Sequence, residues 1–149
     1  MPRERSGLHR IAVLLACGAL VLGLWRLASP PSGPVEPAWD RVACARCHML
    51  VSDPRFAVQL HTHAGEVLFY DDPGCALLAR AEAGEAPAAL YFHDFEGAAW
   101  LAERDVRFVP VPETPMGHGF AALAAGAKAD AIDAAALLVQ LEQRAKGSP

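Results

Sequence analysis

The chain has 149 residues, 53% hydrophobic and 20% charged, a balance that suits one modest folded body and excludes a disordered or fibrous chain. Its formal charge of −4 is unevenly spread: residues 1–26 carry four arginines against one glutamate, +3, which leaves −7 for the remainder. Nucleic-acid affinity needs clustered Lys and Arg that release counterions, and nine scattered basic residues on an acidic body exclude that class.

The first predicted element is the uncharged run from Ile11 to Trp25, preceded by Arg3, Arg5 and Arg10 and closed by Arg26. A spanning helix needs about 17 to 25 apolar residues, a length met once Leu27 and Ala28 are included and Arg26 reaches back to the interface. Leu24-Trp25-Arg26-Leu27-Ala28 puts arginine where signal-peptide cleavage wants a small residue. Residues 1–28 are therefore read as an uncleaved membrane anchor. Lipid attachment at Cys17, within Leu14-Leu15-Ala16-Cys17, is the second reading, and a cleaved signal the third. Positive charge ahead of the run keeps that end cytoplasmic, so all three readings export the rest of the chain. The body is expected on a membrane, facing the periplasm or another extracytoplasmic space.

Ser29-Pro-Pro-Ser-Gly-Pro34, followed by Val-Glu-Pro37, can hold neither a helix nor a central strand, so residues 29–38 read as a linker and residues 39–145 as the folded body. Arg55 to His61 and Glu66 to Tyr70 are rich in branched and aromatic residues and flank Thr62-His63-Ala64-Gly65, which predicts a β-hairpin. Asp71-Asp72-Pro73-Gly74 is a helix start with an acidic cap and a proline just inside, leading into a helix from Cys75 to Ala83 that Gly84 stops. A strand at Ala89 to His93 completes a ββαβ half. The second half repeats the theme less clearly: strands at Gly97 to Leu101 and Val106 to Val111, the loop Pro112 to Gly119, then alanine-rich helix. Ile132, Ala136, Val139 and Leu141, with Asp130 as cap, predict a helix from about Ala131 to Arg144. The class is α+β.

Sulfur carries the chemistry. In an extended segment Cys47 and Met49 share one face, and Cys44, three residues before Cys47, suits a turn in which both thiolates meet one ion. Met116 stands between Pro115 and Gly117, where packing alone has little use for a long apolar side chain. Thiolates with thioethers select copper(I), whereas zinc takes thiolate, imidazole and carboxylate, so Cys44, Cys47, Met49 and Met116 are the candidate copper(I) ligands. His48 and His118 stand beside them as further donors. Cys75, in the first turn of a helix, is read as a buried small residue, and His61, His63 and His93 as structural.

Two other readings use the same residues. Cys44-Ala-Arg-Cys47-His48 fits the C-x-x-C-H attachment signal of a c-type cytochrome, with Met116 as the second axial ligand. The hairpin at Arg55 to Tyr70 speaks against it, since small cytochromes c continue as helix. A Cys44–Cys47 disulfide stapling a plain interaction domain is the other. A thioredoxin-like site is set aside because Pro54 stops the long helix that should follow its C-x-x-C. No nucleophile elbow, phosphate loop or paired acid and base is present, and the chain is not expected to be an enzyme.

Cys44-Ala-Arg-Cys47-His48-Met49, Leu68-Phe69-Tyr70-Asp71-Asp72-Pro-Gly-Cys75, Tyr91-Phe-His-Asp94, Trp100-Leu and Thr114-Pro115-Met116-Gly117 together resemble the NosL family, the copper-binding accessory proteins of nitrous oxide reductase. The resemblance covers roughly Trp39 to Leu123. It implies two small ββαβ units behind an N-terminal anchor, and a copper(I) metallochaperone whose partner is an extracytoplasmic copper enzyme. It places the family's metal-binding cysteine and methionine on Cys47 and Met49 and its loop methionine on Met116, with Cys44 matching the extra cysteine of many members. The chain departs from the family in carrying His48 where glycine is usual, in its weak lipid box, and in ending soon after one helix.

Overall fold

The computed structural model describes residues 4–28 and 31–147; Met1, Pro2 and Arg3 of the expected anchor and Ser29 and Pro30 of the expected linker lie outside the described residues. The chain forms two units, Met1–Pro31 and Ser32–Pro149. The first holds α1, Glu4–Ala28, on which Val13, Leu14, Leu15, Leu20, Val21 and Leu22 are all exposed. Among the described residues no helix is long and apolar enough to cross a membrane.

The second unit is α+β, with two antiparallel sheets. Asp53 and Pro54 open a single 3-10 turn at Pro54–Phe56, which takes Arg55 and Phe56 out of the expected hairpin. β1 (Val58–His61) and β2 (Val67–Tyr70) form that hairpin, with Val58 opposite Tyr70 and His61 opposite Val67. α2 runs Pro73–Ala83, capped by Asp72 and ended by Gly84 in the left-handed conformation, as the sequence predicts. β3 (Ala89–His93) returns beside β1, not β2, and completes the expected first ββαβ half.

The second half departs from a ββαβ repeat. β4 (Trp100–Ala102) pairs with β3 and extends the first sheet to the order β2-β1-β3-β4. β5 (Val106–Pro110) and β6 (Phe120–Ala124) make a separate two-stranded sheet, and α3 (Ala134–Gly147) closes the unit. β6 was hidden in the alanine-rich run. Phe120-Ala-Ala-Leu-Ala favours a helix by propensity, yet its first four residues are buried in pairing with β5, and tertiary context decides. The cap of α3 is Asp133, whose carboxylate accepts the Ala136 N–H at 2.8 Å, and not Asp130. The buried face of α3 is Ala134, Leu137 and Leu141, while Val139 is exposed.

The larger of two apolar clusters among the described residues runs through both sheets, α2 and α3, and a smaller one joins Phe56, Val109, Ala121 and Leu123. Phe92 on β3 meets Phe108 on β5 edge to face, with ring centroids 5.0 Å apart, the arrangement that aromatic quadrupoles favour. All four residues of β1 are buried, Gln59 included. Its amide is satisfied by the expected linker: the Val35 N–H donates to Oε1 at 2.8 Å and Nε2 donates to the Val35 carbonyl at 3.2 Å. A buried amide without partners would cost about 1–3 kcal/mol, so this pair ties the segment around Val35 to the sheet.

Candidate metal centre

Three short pieces of chain converge at one end of α2. The first is the turn carrying Cys44 and Cys47. The Cys44 N–H donates to the Met49 carbonyl at 2.7 Å, and the His48 N–H donates to the Cys44 carbonyl at 3.0 Å. The Ala45 N–H donates to the Phe69 carbonyl at 2.8 Å, which pins the turn to β2. Closing it takes a left-handed residue, His48 with φ 64°, a conformation that glycine adopts at least cost. The second piece is Asp71, immediately after β2, and the third is Cys75, the third residue of α2.

The Sγ atoms of Cys44, Cys47 and Cys75 and a carboxylate oxygen of Asp71 all lie within 4.8 Å of one another. Cys44 and Cys75 are 0% exposed and Asp71 is 2% exposed, while Cys47 is partly open. The Cys47 thiol donates to both Asp71 oxygens, at 3.3 and 3.4 Å. Four such donors, brought together and largely screened from water, can hold a metal ion. The donors of a tetrahedral ion with bonds near 2.3 Å stand roughly 3.8 Å apart, a spacing this cluster accommodates with little movement.

Without a cation the cluster shares protons unevenly. The Cys75 thiol donates to Cys44 and, with backbone N–H groups of Cys47, Asp71 and Arg46 and against the effect of burial, pulls the Cys44 pKa down to about 4. Burial pushes Cys47 up to about 11, and the neighbouring Cys44 and Asp71 add to that. Cys75 is pushed up because it is the donor to Cys44, then by burial, and burial raises Asp71. The result is one thiolate beside thiols that hold their protons more firmly than usual, protons that a soft cation would displace as it binds. Arg46 reaches across to Glu82 on α2 at 2.7 Å. That contact holds its guanidinium above the ordinary value, against the effect of burial.

A loop lies against this end of α2. Asp72 is buried and does two things: Oδ1 accepts the Gly74 N–H at 2.7 Å, capping the helix, and Oδ2 accepts the Met116 N–H at 3.3 Å. His118 from the same loop places Nε2 3.9 Å from the Cys75 sulfur. Its ring lies so close to Gly74 that a Cβ there would clash with it. The loop turns on Gly117 and Gly119, both with positive φ.

Of the four expected ligands, Cys44 and Cys47 are in the cluster. Met49 and Met116 are 51% and 37% exposed, with their backbones tied to Cys44 and to Asp72 respectively. Cys75 is buried as expected, but it is also a donor to the site. Asp71 was missed altogether. The signal for Cys75 was Asp-Pro-Gly-Cys, which sets a thiol in the first turn of a helix beside free N–H groups that favour a thiolate. Burial of Cys44 in the core leaves its sulfur without the open surface that attachment to a haem edge requires. The cysteines are free thiols, without the Cys44–Cys47 bond of the alternative reading. No protein-family model, curated protein or solved structure matches this chain.

Proposed function

We propose that the chain is a copper(I) carrier of the NosL type, tethered outside the cytoplasm by α1, that delivers its ion to an extracytoplasmic copper enzyme such as nitrous oxide reductase. One observation carries the metal reading: three cysteine sulfurs and a buried carboxylate gathered within 4.8 Å. Thiolate-rich sites favour copper(I) over harder ions. Cys44, Cys47 and Cys75 hold the ion in this reading, and Asp71, facing the Cys47 sulfur with both oxygens, keeps Cys47 in place. Met49 and Met116, open at the surface, offer thioethers to an incoming or departing ion. The exposed apolar side chains of α1 support the tether, because such a surface calls for a lipid or protein cover.

Asp71 favours a second reading, zinc(II) in a closed four-ligand site, since a carboxylate is a good zinc ligand and a poor copper(I) ligand. Anaerobic titration with copper(I) and, separately, with zinc(II), each against a competing chelator, distinguishes them. The carrier reading expects one copper(I) held far more tightly than zinc(II), with binding lost in Cys47→Ser and in Cys75→Ser but retained in Asp71→Asn. Loss of binding in Asp71→Asn together with a preference for zinc(II) would replace it. Full copper affinity in both cysteine variants would remove the site.

A further inference from the structure

We propose that the Cys44–Cys47 turn is a redox gate on the metal centre: it closes as an intramolecular disulfide in exchange with a partner disulfide, and in that state the site holds no ion. The inference rests on the metal reading above and adds a regulation to it.

The geometry supplies each requirement. Cys47 is the partly open member of the cluster and Cys44 the fully buried one, so an incoming disulfide meets Cys47 first. The chain turns over residues 45–47, closed by the His48 N–H on the Cys44 carbonyl, which folds Cys47 back toward Cys44. Their sulfurs already lie within 4.8 Å of each other. No strand or helix has to move, because the turn lies outside the named elements and is held by backbone hydrogen bonds at Cys44, Ala45 and His48. Cys75 is less suited to the exchange, being fixed on α2 with the His118 ring beside its sulfur.

The chemistry balances as two thiol–disulfide exchanges. The Cys47 thiol passes its proton to the Asp71 carboxylate that it faces as its sulfur attacks one sulfur of a small-molecule or protein disulfide; the other sulfur leaves as a thiolate and takes up that proton, and a mixed disulfide remains on Cys47. The Cys44 thiolate then attacks the Cys47 sulfur and expels the remaining half of the oxidant. Two cysteines have lost two electrons and two protons, and the oxidant has become two thiols. Cys75 and Asp71 are then the only donors left in the cluster, too few to retain an ion. A bound ion occupies the same two sulfurs, so the loaded site resists the exchange.

The full chain carrying Cys17→Ser is incubated with oxidised glutathione, freed of excess reagent, and titrated anaerobically with copper(I). The gate predicts a mass lower by two hydrogens, one reactive thiol remaining, and no tight copper(I) site until a reductant restores it. Trypsin cuts after Arg46, so the predicted bond joins peptide 42–46 to peptide 47–55, whereas a bond to Cys75 would recruit peptide 56–80. Protein loaded with copper(I) before exposure keeps its mass. Cys47→Ser, at a partly open position, forms no internal disulfide, and circular dichroism reports whether it is folded. Linkage to peptide 56–80, copper binding that survives oxidation, or oxidation as fast with metal as without would each overturn the gate. The metal reading is judged separately by the reduced protein: tight copper(I) binding there with any of these outcomes leaves the carrier and removes the gate.

Discussion

His48 sits at φ 64° in the turn that sets Cys44 and Cys47 on the site, and a left-handed conformation costs a non-glycine residue about 1–2 kcal/mol. The resemblance noted in the sequence has glycine at this place, and the backbone supplies a physical reason for it. His48→Gly is expected to raise stability by about 1 kcal/mol, allowing for the extra freedom glycine loses on folding, with the midpoint of urea unfolding as the measurement. Gly74 presents the opposite case. Its missing Cβ makes room for the His118 ring, so Gly74→Ala is expected to destabilise by about 1–3 kcal/mol through overpacking. In a His118→Ala background the same change is expected to stabilise by up to about 1 kcal/mol, because alanine is the better helix residue. A sign that stays the same in both backgrounds would show that the ring is not what the glycine accommodates. The sequence makes Cys44 and Cys47 legible as a pair because they are near neighbours. Asp71 and Cys75 join them only through the pinning of the turn to β2, and no spacing rule reports that.

At the scale of elements, Asp72 links the start of α2 to the loop of Met116. Asp72→Ala removes the cap, worth about 1 kcal/mol, and also leaves the Met116 N–H without its acceptor, so an overall loss of about 2–3 kcal/mol is expected. Asp72→Asn should recover most of the capping part, and amide exchange at Met116 reads the other part. The first ββαβ half was legible because each of its elements announces its own ends: a turn glycine at Gly65, a cap and proline at Asp72-Pro73, a stop at Gly84. The second half was not. Its alanines favour helix, and β6 exists because β5 offers a partner 10 residues upstream of it, Val106–Pro110 ending before the loop and Phe120 beginning after it. Trp100–Ala102 reads as the start of a new unit in sequence, yet the open edge of β3 captures it.

For the whole molecule, the metal centre and the apolar core are not separate regions: Cys44 and Cys75 belong to the same buried cluster as Phe92, Phe108 and Leu137. An ion that binds only the folded state at about 100 times its dissociation constant stabilises by about 2.7 kcal/mol. For a body of this size that is a rise in melting temperature on the order of 10 °C. Under the carrier reading, one equivalent of copper(I) added anaerobically should produce that rise in calorimetry, a chelator should reverse it, and Cys75→Ser should show none.

Donors embedded in the core also bear on how long each molecule lasts in the cell. Proteases act on opened chains, and the opened fraction falls about tenfold for every 1.4 kcal/mol of added stability when opening and reclosing are fast. Under the carrier reading, copies that have delivered their cargo would be degraded sooner than copies still loaded. Abundance would then follow copper supply without any change in synthesis, and the surviving pool would be enriched in molecules with something left to give.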